Sequence, residues 1–166
     1  MRVKYRGEPD PASAWDEIIP GLFMGGHVRQ GPSGELVPVV VGAEFDVVIS
    51  LYRREGHGPA EAVAHQCREI PDGPLTAAQL ADARELAETA AAAVRGERRV
   101  LVRCRSGYNR SGLVVVQALV LLGYQVDDAI FLVRYRRSKW ALSNHLFVEY
   151  LTTGLDVAGL LAGLDG

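Results

Sequence analysis

The chain has 166 residues, with 18 Lys and Arg against 20 Asp and Glu, a net charge of −2 and two cysteines. That length predicts one domain able to bury a full hydrophobic core, and a 48% hydrophobic share sets the chain apart from disordered ones. Two cysteines are too few for a disulfide-stapled secreted scaffold, and a charge near zero excludes a general nucleic-acid coat or a polybasic membrane anchor.

Residues 1–14 are polar, contain Pro9 and Pro11, and read as a loose tail without the apolar stretch of a signal peptide. From Trp15 the pattern is strand-like. Leu22-Phe23-Met24 closes at Gly25-Gly26, and Val37 to Val41 follows a Gly-Pro-Ser-Gly turn at 31–34, so the segment between Gly26 and Phe45 reads as a hairpin. Phe45 to Leu51 is β-branched and apolar, as in a strand covered on both faces. The polar, glycine-rich stretch from Tyr52 to Pro59 is expected to cross the surface, and Gln66 to Ile70 reads as a short strand that stops at Pro71. Thr76 is the expected N-cap of an alanine-rich helix, Ala77 to Val94, which turns Leu80 and Leu86 to the core and ends at Gly96. Val100 to Val102 follows as a short apolar strand. Leu113 to Gly123 reads as a buried helix, and Val126 to Arg137, Asn144 to Thr153 and Asp156 to Leu164 as further helical stretches. The run at 113–123 is 11 residues long, against about 20 needed to span a bilayer, so a reduced, cytoplasmic protein with no membrane partner is expected. Early strands and late helices around a strand–loop–helix unit predict a single α/β domain over 15–166, with a central, mostly parallel twisted sheet flanked by helices.

Between Val102 and Leu113 the chain runs Cys104-Arg105-Ser106-Gly107-Tyr108-Asn109-Arg110-Ser111-Gly112. A strand that turns through a polar loop into a buried helix is an anion site, because the helix N-terminus offers unpaired N–H groups and about half an elementary positive charge. A thiol with a pKa near 8.5 is only about 3% thiolate at pH 7, whereas one brought to about 5.5 at a helix N-terminus is about 97% thiolate. Arg110 would offer its planar fork to two phosphate oxygens, Gly107 lets the backbone turn its N–H groups inward, and Ser111 can donate to the sulfur. Each residue alone has a plainer explanation, since a cysteine after a strand is commonly a small buried hydrophobe and an arginine at a helix start a solvated charge. Their joint spacing has a chance of roughly one in a thousand at this composition. The loop lacks the Gly-Lys-Ser/Thr ending of a nucleotide-binding Walker loop.

Cys104 and Arg110, with five residues between them and Ser111-Gly112 after, resemble the signature loop of the cysteine-based protein tyrosine phosphatases, and the small dual-specificity branch in particular. The resemblance spans about Ile18 to Leu151. Ile18 to Gly25 is similar to that branch's opening strand, Phe45 to Leu51 to its next core strand, and Ile70-Pro71-Asp72 to its mobile acid loop. Arg136-Arg137 followed by Asn144, Phe147 and Leu151 is similar to its closing pattern, with Ser138 in place of a proline. The resemblance implies that Cys104 is a nucleophile forming a phosphocysteine, and that Arg110 binds the phosphoryl group and stabilises its equatorial oxygens. It implies that Asp72 protonates the leaving oxygen and then activates water. Backbone N–H groups from Arg105, Ser106, Gly107, Tyr108, Asn109 and Arg110 would complete the phosphate cradle. No metal and no cofactor are implied, and the partner would be a protein carrying phosphotyrosine and also phosphoserine or phosphothreonine.

Several positions leave alternatives open. Asp72 lies in a Pro-Asp-Gly-Pro stretch that is by composition an ordinary turn, yet it sits 32 residues before Cys104, after a short strand. Arg103 stands where the family usually has a histidine; its charge could favour the thiolate, or it could point away across the strand. The chain is too short for the extra recognition loop of the large tyrosine-specific members, so a shallow pocket is expected, with Tyr108 as one wall. Arg53, Arg54 and His57 either border its mouth or are plain surface residues. Asn109-Arg110 is also similar to the RNA 5′-triphosphatases that share this loop, and residues 95–110 carry six arginines against one glutamate, a local +5. That patch suits any phosphorylated partner. RNA 5′-triphosphate or a phosphoinositide is therefore the alternative substrate, and a phosphate-binding pseudophosphatase the alternative without catalysis; a nucleic-acid partner is otherwise not expected. Cys67 is either a buried structural thiol or a redox partner of Cys104, which would require Cα atoms within about 7 Å.

Overall fold

Strand pairing in a computed structural model, which describes residues 7–164, turns these local patterns into one sheet. The elements run β1 (Trp15–Ile19), β2 (Leu22–Gly26), β3 (Val28–Gln30), β4 (Leu36–Pro38), β5 (Val47–Ser50), β6 (Ala64–Cys67), α1 (Ala77–Arg95), β7 (Val100–Cys104), α2 (Arg110–Leu121), α3 (Val126–Arg136), α4 (His145–Thr153) and α5 (Leu155–Leu164). The main sheet has the order β1-β2-β7-β5-β6, and every pair but β1–β2 is parallel. This is the α/β architecture expected, with β7 at the centre. β3 and β4 form a separate antiparallel hairpin around the Gly-Pro-Ser-Gly turn.

Side chains alternate across the strands, so the two faces of the sheet have separate cores. Leu22, Met24, Val47, Ile49, Val100, Val102 and Cys104 face the helices, where they pack with Leu80, Leu86, Leu113 and Phe147. Phe23, Val48 and Leu101 face the other way, under Val41 and Phe45. The Phe45 ring meets Trp15 and Phe23 edge-on, each at 5.1 Å between centroids. Among the described residues no helix covers this second face; residues from the 39–63 segment pack on it. α1 begins as expected, since Thr76 Oγ1 accepts from the Gln79 N–H at 3.1 Å while Gln79 Oε1 accepts from the Thr76 N–H at 2.9 Å, a reciprocal capping box.

Three expectations need correction. The strand placed at Gln66 to Ile70 lies at Ala64–Cys67, because its register on β5 runs from Val47↔Ala64 to Ser50↔Cys67. Tyr52 to Pro59 is not wholly a surface crossing: His57 is buried and its carbonyl accepts a buried hydrogen bond. Residues 8–14 are not loose. Glu8 and Asp10 are buried, the Gln30 side chain donates to the Asp10 carbonyl, the Gly26 N–H donates to Ala14, and Tyr108 donates its hydroxyl proton to the Pro9 carbonyl at 2.9 Å. Polarity suggested solvent, but distant parts of the chain supply the partners these groups need. Residues 1–6 of the expected tail lie outside the described residues. Among the described residues no single helix is long and apolar enough to cross a membrane.

Candidate active site

The loop after β7 is held from outside. The Arg105 carbonyl accepts from the His27 N–H at 2.8 Å, Ser106 and Gly107 carbonyls accept from Arg137 Nη2 and Nε at 3.0 and 3.1 Å, and the Tyr108 carbonyl accepts from the Leu142 N–H at 3.0 Å. Four successive carbonyls are thus fixed outward, which turns the backbone N–H groups toward the loop centre. Gly107 makes this path possible: its φ is +77°, and a Cβ there would lie 2.5 Å from the Gly25 backbone and 2.6 Å from Arg137 Nη2. Gly26 is needed at the closest approach of β2, where a Cβ would meet the Ser106 carbonyl carbon at 2.7 Å. Arg137 is itself anchored through Nη1 to Asp16 at 2.8 Å and to Ser13.

At the bottom of this loop lies the Cys104 thiol, buried at the start of the turn toward α2. Burial alone would raise its pKa. The Arg110 charge, the Ser111 hydroxyl and the backbone N–H groups of Ser111 and Gly107 outweigh that burial and hold the thiol below its ordinary value. Ser111 Oγ lies 3.3 Å from Sγ, within hydrogen-bonding distance of sulfur. Cys67 shows the opposite: burial raises its pKa, and neighbouring charges do not reverse the shift. Arg110 donates through Nη1 to the Ile70 carbonyl at 3.3 Å and sits 5.4 Å above the Tyr52 ring, while its buried Nε has no hydrogen-bond partner among the described residues. A buried guanidinium N–H without an acceptor, beside inward-facing amides and the head of α2, fits a tetrahedral oxyanion.

Arg103 points away from this loop. Its register partner on β5 is Ser50, and it shares the loop-covered face with Ser50 and Cys67. The side chain is buried, and it donates through Nε to Ser50 Oγ at 3.0 Å, through Nη1 to the His57 carbonyl at 2.9 Å and through Nη2 to the Gly58 carbonyl at 2.7 Å. Burial lowers its pKa to about 10, which leaves it charged at neutral pH. His27 lies nearby and is pushed down to about 3, chiefly by burial, then by Arg103 and His57. Its Nε2 faces the Tyr52 carbonyl at 3.1 Å and must carry the proton, so Nδ1 accepts from His57 at 3.2 Å. The same registers separate the two cysteines. Cys67 is two strands from β7, about 10 Å, level with Arg103 rather than Cys104, and on the opposite face, which is beyond disulfide reach.

Asp72 is brought to the loop. Its two carboxylate oxygens accept from Asn109 Nδ2 at 3.2 Å and Asn144 Nδ2 at 2.8 Å. Tyr108 is not an open wall of this pocket; it is buried, its hydroxyl donates to the Pro9 carbonyl, and it lines a separate small cavity with residues 9–13 and Trp140. The aromatic beside Arg110 is Tyr52, which the sequence did not single out, although it directly follows the apolar run of β5. His57 is buried rather than at a mouth, while Arg53 and Arg54 are exposed. The local +5 is also dispersed. Arg95 ends α1 and donates to the Leu121 carbonyl, while Arg98 and Arg99 lie just before β7, about 17 Å of strand from Cys104, with Arg99 over the Phe23 ring at 4.7 Å. Only Arg105 and Arg110 of the six arginines belong to the loop itself.

No protein-family model matches the chain, and no curated protein sequence matches it. Solved structures do. Human DUSP28 superposes with a TM-score of 0.69 at 23% identity, over 90% of this chain and 97% of that one. Tk-PTP in its active form gives 0.60 at 21%, over 86% and 96%. The human tyrosine phosphatase-like serine/threonine/tyrosine-interacting protein gives 0.57 at 22%, over 83% and 93%. The chain thus has the fold of the small dual-specificity phosphatases of the cysteine-based tyrosine phosphatase superfamily.

Proposed function

We propose that this chain is a cysteine-dependent phosphatase acting on phosphoproteins, at phosphotyrosine and also at phosphoserine or phosphothreonine, with residues 8–14 part of the catalytic domain. The observation that carries this reading is the Cys104 thiol held below its ordinary pKa in a loop whose Arg105 to Tyr108 carbonyls are all bonded outward. Phosphate oxygens would take the inward N–H groups of residues 105–110 and the partnerless Nε of Arg110. Cys104 Sγ attacks phosphorus while the bond to the leaving oxygen breaks, and Asp72 gives that oxygen its proton. The product is a phosphocysteine. Asp72, now a carboxylate, takes a proton from water as the water attacks phosphorus. The S–P bond breaks, Ser111 steadies the departing thiolate and inorganic phosphate leaves. Arg110 and the head of α2 supply the positive charge for both steps. A reduced, cytoplasmic location suits a free thiol of this kind.

Hydrolysis of an aryl phosphate, a phosphotyrosyl peptide, a phosphoseryl peptide, a phosphoinositide and triphosphate-ended RNA tests the proposal. Cys104→Ser is expected to lose about a thousandfold or more in kcat on the best substrate. Equal rates for wild type and Cys104→Ser end the phosphocysteine mechanism, and preference for RNA or phosphoinositide moves the substrate class. Wild-type protein that binds phosphate without turnover establishes the pseudophosphatase instead.

A further inference from the structure

The pair of amides around Asp72 is not oriented by Asp72 itself. Asn109 Oδ1 accepts from the Asn144 backbone N–H at 2.9 Å, which turns the Asn109 Nδ2 to the carboxylate. Asn144 Oδ1 accepts from the Leu146 N–H at 3.1 Å as the N-cap of α4, which turns its Nδ2 to the other carboxylate oxygen. Each amide therefore has its acceptor end fixed by a backbone donor, and each must present N–H to Asp72. Asn109 correspondingly makes no side-chain cap on α2, although it occupies that helix's N-cap position. Ser143 lies between the two, with its hydroxyl near Asn109 and bonded to the Glu8 carboxylate. Among the described residues, the charged and titratable groups around the acid segment include Arg110, on the Ile70 carbonyl, Glu8, through Ser143, His145, exposed at the head of α4, and Tyr150, whose hydroxyl oxygen accepts from the Leu75 N–H at 3.0 Å.

We propose that Asn109 and Asn144 are positioning residues that dock Asp72 at the phosphate loop before substrate arrives and, by donating to both oxygens, favour its carboxylate form. This rests on the phosphatase reading with Asp72 as acid and base. Two amide donors stabilise the charged carboxyl over the neutral one, so the clamp suits the step in which Asp72 accepts a proton from water and limits the pH range in which it can give one. The alkaline limb of the rate profile then sits lower than for an Asp without the clamp.

The test is the pH dependence of kcat/KM on an aryl phosphate with a poor leaving group. Asn144→Ser keeps an N-cap oxygen for α4 but removes the amide donor, and should raise the alkaline limb by about half a pH unit or more. Asn109→Asp keeps the acceptor for the Asn144 N–H and places a carboxylate against Asp72, and should raise it by more than about one unit. Asp72→Asn should abolish that limb. If Asp72→Asn abolishes it and neither asparagine variant moves it, the clamp is overturned while the phosphatase reading stands. If the limb survives Asp72→Asn, Asp72 is not the acid and the clamp falls with it, whereas Cys104→Ser still judges the nucleophile. A uniform loss of rate at every pH, with the limb in place, assigns the asparagines a structural role only.

Discussion

Arg103 and Cys104 are neighbours on β7, yet they serve opposite sides of the sheet. Cys104 faces the helices, where Arg110, Ser111 and backbone amides stabilise an anion. Arg103 faces the loop-covered side, where a buried cation is held by a hydroxyl and two carbonyls, with the low-pKa His27 beside it. Strand alternation lets one chain keep a chemical site and a structural polar cluster within one residue of each other without either setting the other's charge. Among the groups that lower the Cys104 thiol, the Arg110 charge and the Ser111 hydroxyl come first.

The largest effect that could break this separation comes from Arg103→Leu. It strands the Ser50 hydroxyl and the His57 and Gly58 carbonyls, at about 1 kcal/mol or more each, so thermal unfolding should fall by roughly 3 kcal/mol. Arg103→His should also destabilise, since an imidazole cannot reach all three acceptors. In the folded fraction, the pH dependence of Cys104 alkylation should stay at the wild-type position. A shifted profile would join the two faces electrostatically.

The reciprocal change on the helix face is Ser111→Ala. Removing a donor to the thiolate should lower kcat about tenfold, by about 1.5 kcal/mol, and move Cys104 alkylation to higher pH, with little change in unfolding. A large loss of stability with unaltered alkylation would overturn the assignment.

The mildest perturbation needs no substitution. The folded-state pKa of His27 is about 3, below the unfolded value of 6.5, so the unfolded chain takes up a proton first as pH falls. Stability from this residue should be full above about pH 6.5 and decline as pH falls toward 3. Denaturant midpoints at pH 7, 6 and 5 check this, and His27→Gln should flatten the slope across that window, which lies above most carboxylate titration.

The unequal legibility of the two faces follows from the kind of information each holds. The loop is contiguous, so Cys104, Gly107, Arg110 and Ser111 could be placed by spacing, and Thr76 and Gly96 mark α1 by local capping chemistry. The loop-covered face is assembled from Ser50, His27, His57 and Arg103, which meet only through strand register and the path of residues 39–63. Nothing local distinguishes His57 from a surface histidine. The same holds for Tyr108, whose polar tip and loop position suggested an open wall, whereas its hydroxyl is bonded to the distant Pro9 carbonyl. The arginine patch misled because nearness in sequence along an extended strand is distance in space.

Arg137 gives the loop a folding history. One guanidinium joins Ser13 and Asp16 to Ser106 and Gly107, contacts separated by up to 124 residues in sequence. Bonds of that span form only after most of the chain has come together, so the phosphate cradle should be among the last parts of the molecule to order. Refolding followed by return of activity should then lag behind refolding followed by helix content.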